Sequence, residues 1–282
     1  MKTVTSEAQL HAEIAEAKAA GKKVAFVPTM GALHQGHLSL IEVAKRHADF
    51  VVVSIFVNPL QFGPNEDFDK YPRTLETDSA QLVEAGVDLL FTPTVEVIYP
   101  GSQEPTKSAG PVGSVLEGAV RPGHFDGMLT VVSRLFDLVQ PNVAVFGAKD
   151  AQQLHLINAM TKRDYPSIKI IEAPTIREAG GLALSSRNRY LDEEAHEVAQ
   201  QLSAALRAGA AAVHPGGQTN PNLVIETATN ALATPEAKLE YITLVDKDTF
   251  EPIENGFSGR ALLLIAARVG ETRLIDNTEL TF

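Results

Sequence analysis

The apolar positions along this chain change period repeatedly, from three or four residues to near-continuous runs and back, and that alternation lays out its elements. Ser6 with Gln9 three residues on forms a capping box, after which Leu10, Ile14 and Ala17 recur at helical spacing until Gly21 supplies a stop. Residues 22–27 read as a short buried strand closed by Pro28. Residues 38–48 read as a helix with Leu38, Ile41 and Ala44 on one face and Lys45 at its rim. The β-branched and aromatic run 49–57 predicts a central strand. The pattern then continues with a helix at 74–85 ended by Gly86, a strand at 87–91, a helix at 128–139, a strand at 142–146, a helix at 150–162 and a strand at 168–173. Strands separated by helices predict an α/β fold: a doubly wound, Rossmann-like parallel sheet with right-handed crossovers.

After Pro174 the texture changes. An Ala-rich helix at 192–212 is broken by His214-Pro215-Gly216-Gly217, a second helix spans 223–232, and strands follow at 239–245, 261–267 and 273–275. Helices followed by strands predict a smaller C-terminal α+β domain, which divides the chain into a Rossmann-like domain at 1–173 and a C-terminal domain at 174–282.

Composition narrows the function. Of 282 residues, 44% are hydrophobic and 21% charged, ordinary globular usage. A net charge of −11 argues against a nucleic-acid surface. The absence of cysteine excludes disulfides, thiolate nucleophiles and Cys-based zinc sites. Neither a leader-like apolar segment at Met1 to Glu7 nor a run of about 20 apolar residues is present, so the expectation is a cytoplasmic enzyme that does not engage membranes.

The segment from Phe26 to Leu38 runs from the end of a strand into a helix and contains His34-Gln35-Gly36-His37. In an open parallel sheet, ligands bind beyond the carboxyl ends of strands, where the free N–H groups of helix N-termini attract phosphate. Histidines three apart on a first helical turn face one ligand and donate ring N–H groups to it, and the helix terminus favours their neutral form. Gly31 and Gly36 allow close approach of a nucleoside. Taken alone, such a pair is as readily a surface accident or half of a zinc site. The position after a buried strand, the flanking glycines and the lack of an evident third zinc ligand favour phosphate.

His34-Gln35-Gly36-His37 matches the H-x-G-H motif of the nucleotidyltransferase superfamily, which includes class I aminoacyl-tRNA synthetases. The longer stretch from Pro28 to His37 resembles the pantoate–β-alanine ligase family. So do Asn58-Pro59-Leu60-Gln61-Phe62, Tyr71-Pro72-Arg73-Thr74, Arg121-Pro122-Gly123-His124-Phe125, Phe146-Gly147-Ala148-Lys149-Asp150 and Ser185-Ser186-Arg187-Asn188, in family order over most of the chain. The resemblance implies ATP-dependent condensation of (R)-pantoate with β-alanine through a pantoyl adenylate, releasing pyrophosphate and AMP. In-line attack at phosphorus needs positioning and charge neutralisation rather than a protein nucleophile, which suits a chain without cysteine.

The resemblance also assigns roles. His34, His37 and Lys149 are the catalytic candidates, with His37 the proton donor toward the leaving group. ATP is expected on Met30, Gly31, Ala32, Leu33, His34, Gln35, Gly36 and His37, on Gly147, Ala148, Lys149 and Asp150, on the backbone of Ile176, and on Leu184, Ser185, Ser186 and Arg187. Leu184 stands where relatives commonly carry Met, and Ser185 to Arg187 occupy the place of the superfamily's second phosphate signature. Gln61 and Gln153 are expected to clamp pantoate, and Gln61 to bind β-alanine as well. Outside their motifs, Gln61 would read as a surface loop residue and Ser185 to Arg187 as a polar loop. Asp150 also suits a helix N-cap. Asp78 is a candidate magnesium contact, although a carboxylate on an exposed helix is more often simply solvated. Mg2+ is therefore expected to arrive with ATP, with no assigned protein ligand and no tightly bound organic cofactor. Tyr71, Arg121 and His124 are open between substrate contact, loop closure and an interface, and the family implies a homodimer. The alternatives are another nucleotidyltransferase acting on a phosphate, and an inactive nucleotide-binding module, against which the retention of both histidines and Lys149 argues.

Overall fold

Ser6 caps the first long helix as its sequence requires: its side chain accepts from Gln9 N, and the Gln9 side chain accepts from the Ser6 N–H. The computed structural model describes every residue except 64–67, 70, 214–219 and 233, so the break expected at His214-Pro215-Gly216-Gly217 lies outside the described residues. It forms two compact units. One comprises Met1–Ala148 and Gln152–Pro174, the other Lys149–Ala151 and Thr175–Phe282.

In chain order the first unit holds β1 (Lys2–Val4), α1 (Glu7–Ala19), β2 (Val24–Thr29), α2 (Gln35–His47), β3 (Phe50–Ile55), α3 (Leu75–Glu84), β4 (Leu89–Phe91), α4 (Val95–Ile98), α5 (Glu117–Val120), α6 (His124–Val139), β5 (Val143–Gly147), α7 (Ala151–Asp164, whose first residue groups with the other unit) and β6 (Lys169–Ala173). Its six strands form one parallel sheet in the order β1-β4-β3-β2-β5-β6. Alternate residues of β2 enter opposite cores. Val24 and Phe26 join Phe91, Phe136 and Ile157, whereas Ala25 and Val27 join Ile41, Val51 and Val53. Burial on both faces is why these strands read as unbroken apolar runs.

Several boundaries differ from those read in the sequence. β2 does not stop at Pro28 but runs on to Thr29. Its pairing with β5 ends at Phe26, so Pro28 lies where the strand is paired on one side only, the edge-like condition under which a strand tolerates proline. α2 begins three residues early, at Gln35, and α6 begins at His124, directly after Gly123 at φ +80°. The edge strand β1 is an addition to the elements that periodicity predicts.

The second unit contains α8 (Glu193–Ala211), α9 (Pro221–Ala231) and an antiparallel meander of β7 (Ala237–Asp246), β8 (Arg260–Val269) and β9 (Thr272–Thr281). Leu202, Leu206, Val224 and Ala228 of the helices share a core with Leu263 and Ile265 of β8. β9 is 10 residues long, against the 273–275 read from the sequence. Among the described residues, no helix is long and apolar enough to cross a membrane.

Topology places a site in the first unit. From β2 the chain passes to β3 on one side, while β5 lies on the other, so the neighbouring carboxyl ends of β2 and β5 form the switch point where open α/β sheets bind ligands.

Candidate active site

From the end of β2 the chain turns sharply into α2. Gly31 has φ +82°, and a Cβ there would lie 3.0 Å from an Asp78 carboxylate oxygen and 3.1 Å from Ile55, so both the backbone and the space demand glycine. Ala32 follows at φ +51°, a left-handed conformation that alanine seldom adopts. Gly31 N donates to Thr29 Oγ1, whose hydroxyl donates to Ser54 O at 2.7 Å. Ala32 N and Leu33 N each donate to the Asp78 carboxylate at 2.9 Å.

His34 is the N-cap of α2, and the two histidines of the motif cap each other's backbone. Gly36 N donates to His34 Nδ1 at 3.1 Å, and His34 N donates to His37 Nδ1 at 3.3 Å. Because each Nδ1 accepts, the hydrogen of each neutral ring sits on Nε2. The rings lie 4.1 Å apart between centroids, so two Nε2–H donors stand together at the positive end of a 13-residue helix. Met30, Gly36 and His37 are half-buried, Gln35 is exposed, and Ala32 and Leu33 are buried with their amides committed to Asp78. Asp78 corrects the reading of a solvated residue on an exposed helix. It is 1% exposed and accepts two backbone amides and the Thr74 hydroxyl.

β3 leads into a 3-10 turn, Pro59–Gln61, whose side chains are held in one orientation. Asn58 is wholly buried. Its Oδ1 accepts from Leu60 N and from the Tyr99 hydroxyl at 2.7 Å, and its Nδ2 donates to Gly127 O and to Gln61 Oε1 at 3.0 Å. The backbone partners fix which end of Asn58 is which, so Gln61 must turn its Oε1 inward, and its donating Nε2 is the opposite end of the amide. Burial raises the Tyr99 phenol well above its usual range, which keeps it a donor. Arg121 Nη2 and His124 Nδ1 both donate to Gln61 O, at 3.2 and 2.8 Å. The Arg-Pro-Gly-His segment therefore holds the backbone of the glutamine turn. Tyr71 rests edge-on against Phe62 of that turn. Neither Asn58 nor Tyr99 is among the residues that the sequence assigns to the site.

At the neighbouring strand end, Gly147 closes β5, and a Cβ on it would stand 3.8 Å from Leu40 of α2. Gln153 is half-buried on the first turn of α7. Its neighbour Gln152 is the more buried of the two and ties down the 112–117 segment, donating to Val112 O and Val115 O and accepting from Glu117 N. Ala148 N donates to Ala173 O, joining the ends of β5 and β6.

The remaining candidates belong to the second unit. Lys149 Nζ lies 3.6 Å from Asp150 Oδ1, and Lys149 O accepts from Asn277 Nδ2 at 2.8 Å. Ile176 and Leu184 meet at the base of a short hairpin, Leu184 N donating to Ile176 O at 2.9 Å. Arg177 in that hairpin makes a two-pronged ion pair with Asp276, which is 4% exposed. Ser185 caps the 3-10 turn Ser186–Tyr190 by accepting from Arg187 N, and Asn188 donates to Glu178 and to Ala183 O. The hairpin thus brings Ile176 beside Leu184, at the start of the 184–187 run.

Known proteins match this arrangement. The family model described as pantoate-beta-alanine ligase matches residues 2–279. The pantothenate synthetase of Acidothermus cellulolyticus is 54% identical over 257 residues, 90% of this chain and 84% of that protein. The crystal structure of pantothenate synthetase from Thermus thermophilus superposes with a TM-score of 0.91 at 46% identity, covering 99% of both chains. A pantoate-beta-alanine ligase structure from Francisella tularensis, complexed with beta-gamma ATP and beta-alanine, superposes with a TM-score of 0.77 at 37% identity, covering 99% of this chain and 97% of that one. With its parallel sheet, its H-x-G-H helix start and its full-length match, this chain belongs to the pantoate–β-alanine ligase family.

Proposed function

We propose that this protein joins pantoate to β-alanine in two steps, each consistent with the groups it presents. In the first, a pantoate carboxylate oxygen attacks the α-phosphorus of ATP, and the bond to the bridging oxygen of pyrophosphate breaks. In the second, the β-alanine amine attacks the acyl carbon of the pantoyl adenylate, AMP leaves with the bond electrons, and the amine loses a proton. The observation that carries this reading is the reciprocal cap of His34 and His37. Two neutral Nε2–H groups held by the backbone suit the charge that develops on the phosphates, with His37 the donor to the departing pyrophosphate.

In the same reading, Met30 to His37 and Gly147 to Asp150 border the nucleotide. Ile176 and Leu184 lie along its adenine end. Lys149 and Arg187 neutralise the β- and γ-phosphates, and the Ser185 and Ser186 hydroxyls donate to them. The Gln61 amide, with Oε1 held by Asn58, offers Nε2–H to the oxygens of pantoate and then to the β-alanine carboxylate, while Gln153 takes pantoate from α7. Asp78 does not suit a magnesium ligand, because its oxygens already accept from two amides and a hydroxyl. Magnesium instead enters on the phosphate oxygens of ATP and supplies charge neutralisation there. The enzyme works as a cytoplasmic homodimer, as its family resemblance implies.

The test is pyrophosphate release from Mg-ATP, followed with and without pantoate before any β-alanine is added. Release that depends on pantoate alone is expected. Release indifferent to pantoate, or absent until β-alanine is added, rules the two-step order out.

A further inference from the structure

We propose that Asp78 is a positioning residue for the reaction, an internal anion that locks the turn carrying the two histidines. The inference rests on the role given to those histidines above. Successive backbone N–H groups in a tight turn form a concavity that attracts anions, and in many nucleotide-binding proteins a phosphate fills it. Here the concavity before α2 is made by Ala32 N and Leu33 N, and it is filled by the protein itself: Asp78 Oδ2 and Oδ1 each accept one of these amides at 2.9 Å. The Thr74 hydroxyl donates to the same carboxylate at 3.2 Å, and the Asp78 side chain is almost wholly shut off from solvent. It projects from the first turn of α3, whose N-terminal end favours negative charge.

Two consequences follow from this geometry. The first concerns conformation. Gly31 and Ala32 both have positive φ, and at Ala32 that conformation costs energy with no glycine to relieve it. The paired hydrogen bonds to Asp78 offset that cost and fix the direction in which the chain enters α2. The mutual Nδ1 capping of His34 and His37 starts at the very next residue, so the aim of both Nε2–H donors depends on the turn being held. The second concerns the ligand. Since Ala32 N and Leu33 N are already bonded, the triphosphate is steered past the turn to the histidine rings and the free end of α2. The phosphates therefore meet donors matched to the reacting centre rather than a generic amide nest.

Asp78→Asn tests this, because it keeps the shape of the side chain but sets an NH2 group against one of the two amides. Pantoate-dependent pyrophosphate release should fall in kcat by on the order of tenfold to a hundredfold. KM for ATP should stay within about threefold, and raising Mg2+ should restore nothing, because a positioning loss is a loss of transition-state alignment and not of ligand affinity. Adding Ala32→Gly to this variant (A32G/D78N) should recover kcat several-fold, since glycine adopts φ +51° without a clamp. Wild-type kcat in a folded D78N, recovery of its activity by Mg2+, or a double variant that regains melting temperature but not kcat would each overturn the proposal. If D78N does not fold, Thr74→Val carries the test by removing only the hydroxyl donor. A several-fold fall in kcat is then expected, and an unchanged kcat overturns the proposal. The wild type is assayed alongside. If it shows no pantoate-dependent release, the two-step reading itself fails. If it does and D78N matches it, only the clamp fails.

Discussion

The two ring nitrogens of each histidine in the H-x-G-H motif are not equivalent. Nδ1 accepts a backbone amide and holds the start of α2, while Nε2 keeps the hydrogen, which the proposed function directs to a phosphate oxygen. His37→Ala removes both. Loss of the cap is expected to cost about 0.5–2 kcal/mol of stability, and loss of a donor aimed at developing charge about 10²–10³-fold in kcat. Thermal melting and pyrophosphate release measure the two separately, and wild-type turnover in this variant would remove His37 from the mechanism. The residue types of this motif, and its place after a strand, are legible in the sequence. The tautomers are not, because they follow from which nitrogen the backbone occupies. Asp78 reads as solvated only for lack of one comparison: it lies four residues before Leu82, hence on the same face of α3, and Leu82 is fully buried. A carboxylate on the apolar face of a helix calls for a partner, and its partners are the amides of the histidine turn.

At the scale of elements, the glutamine turn depends on a glycine in another helix. A Cβ on Gly127 would lie 2.0 Å from Leu60 O, so α6 accepts the turn Pro59–Gln61 only because position 127 lacks a side chain. Gly127 O also accepts from Asn58, which in turn orients the Gln61 amide. Gly127→Ala should push the turn away, destabilise the protein by about 1–3 kcal/mol and raise KM for pantoate several-fold more than KM for ATP. Substrate titrations decide this, and equal shifts for the two substrates would contradict it. Such couplings are invisible to periodicity, which recovers the long helices and central strands but not the pieces that join them. β1 escapes it because three residues on a sheet edge carry little pattern. β9 is cut short for a more telling reason. Asp276 and Asn277 are both buried polar residues, which hold Arg177 and the Lys149 carbonyl, so the apolar alternation fails there.

At the scale of the whole molecule, each unit has its own apolar core, and within the second an ion pair ties the Ile176–Leu184 hairpin to β9. Asp276 is 4% exposed, whereas the Arg177 side chain retains 30% of its surface. The two partners are therefore not equivalent. Arg177→Ala leaves a carboxylate buried and uncompensated, whereas Asp276→Ala leaves a guanidinium that water still reaches. The first should destabilise the second unit by about 5 kcal/mol and the second by about 3 kcal/mol, the two ends of the range for breaking a buried pair. The double variant should cost less than the sum, since after the first loss its partner contributes only a penalty. Hydrogen exchange locates the damage: protection should fall across 175–282 and stay near wild type in the sheet of the first unit, because that sheet's core shares no residue with the second. Additive losses, or equal loss of protection in both units, would mean that the ion pair does not act as the local fastening of the Ile176–Leu184 hairpin.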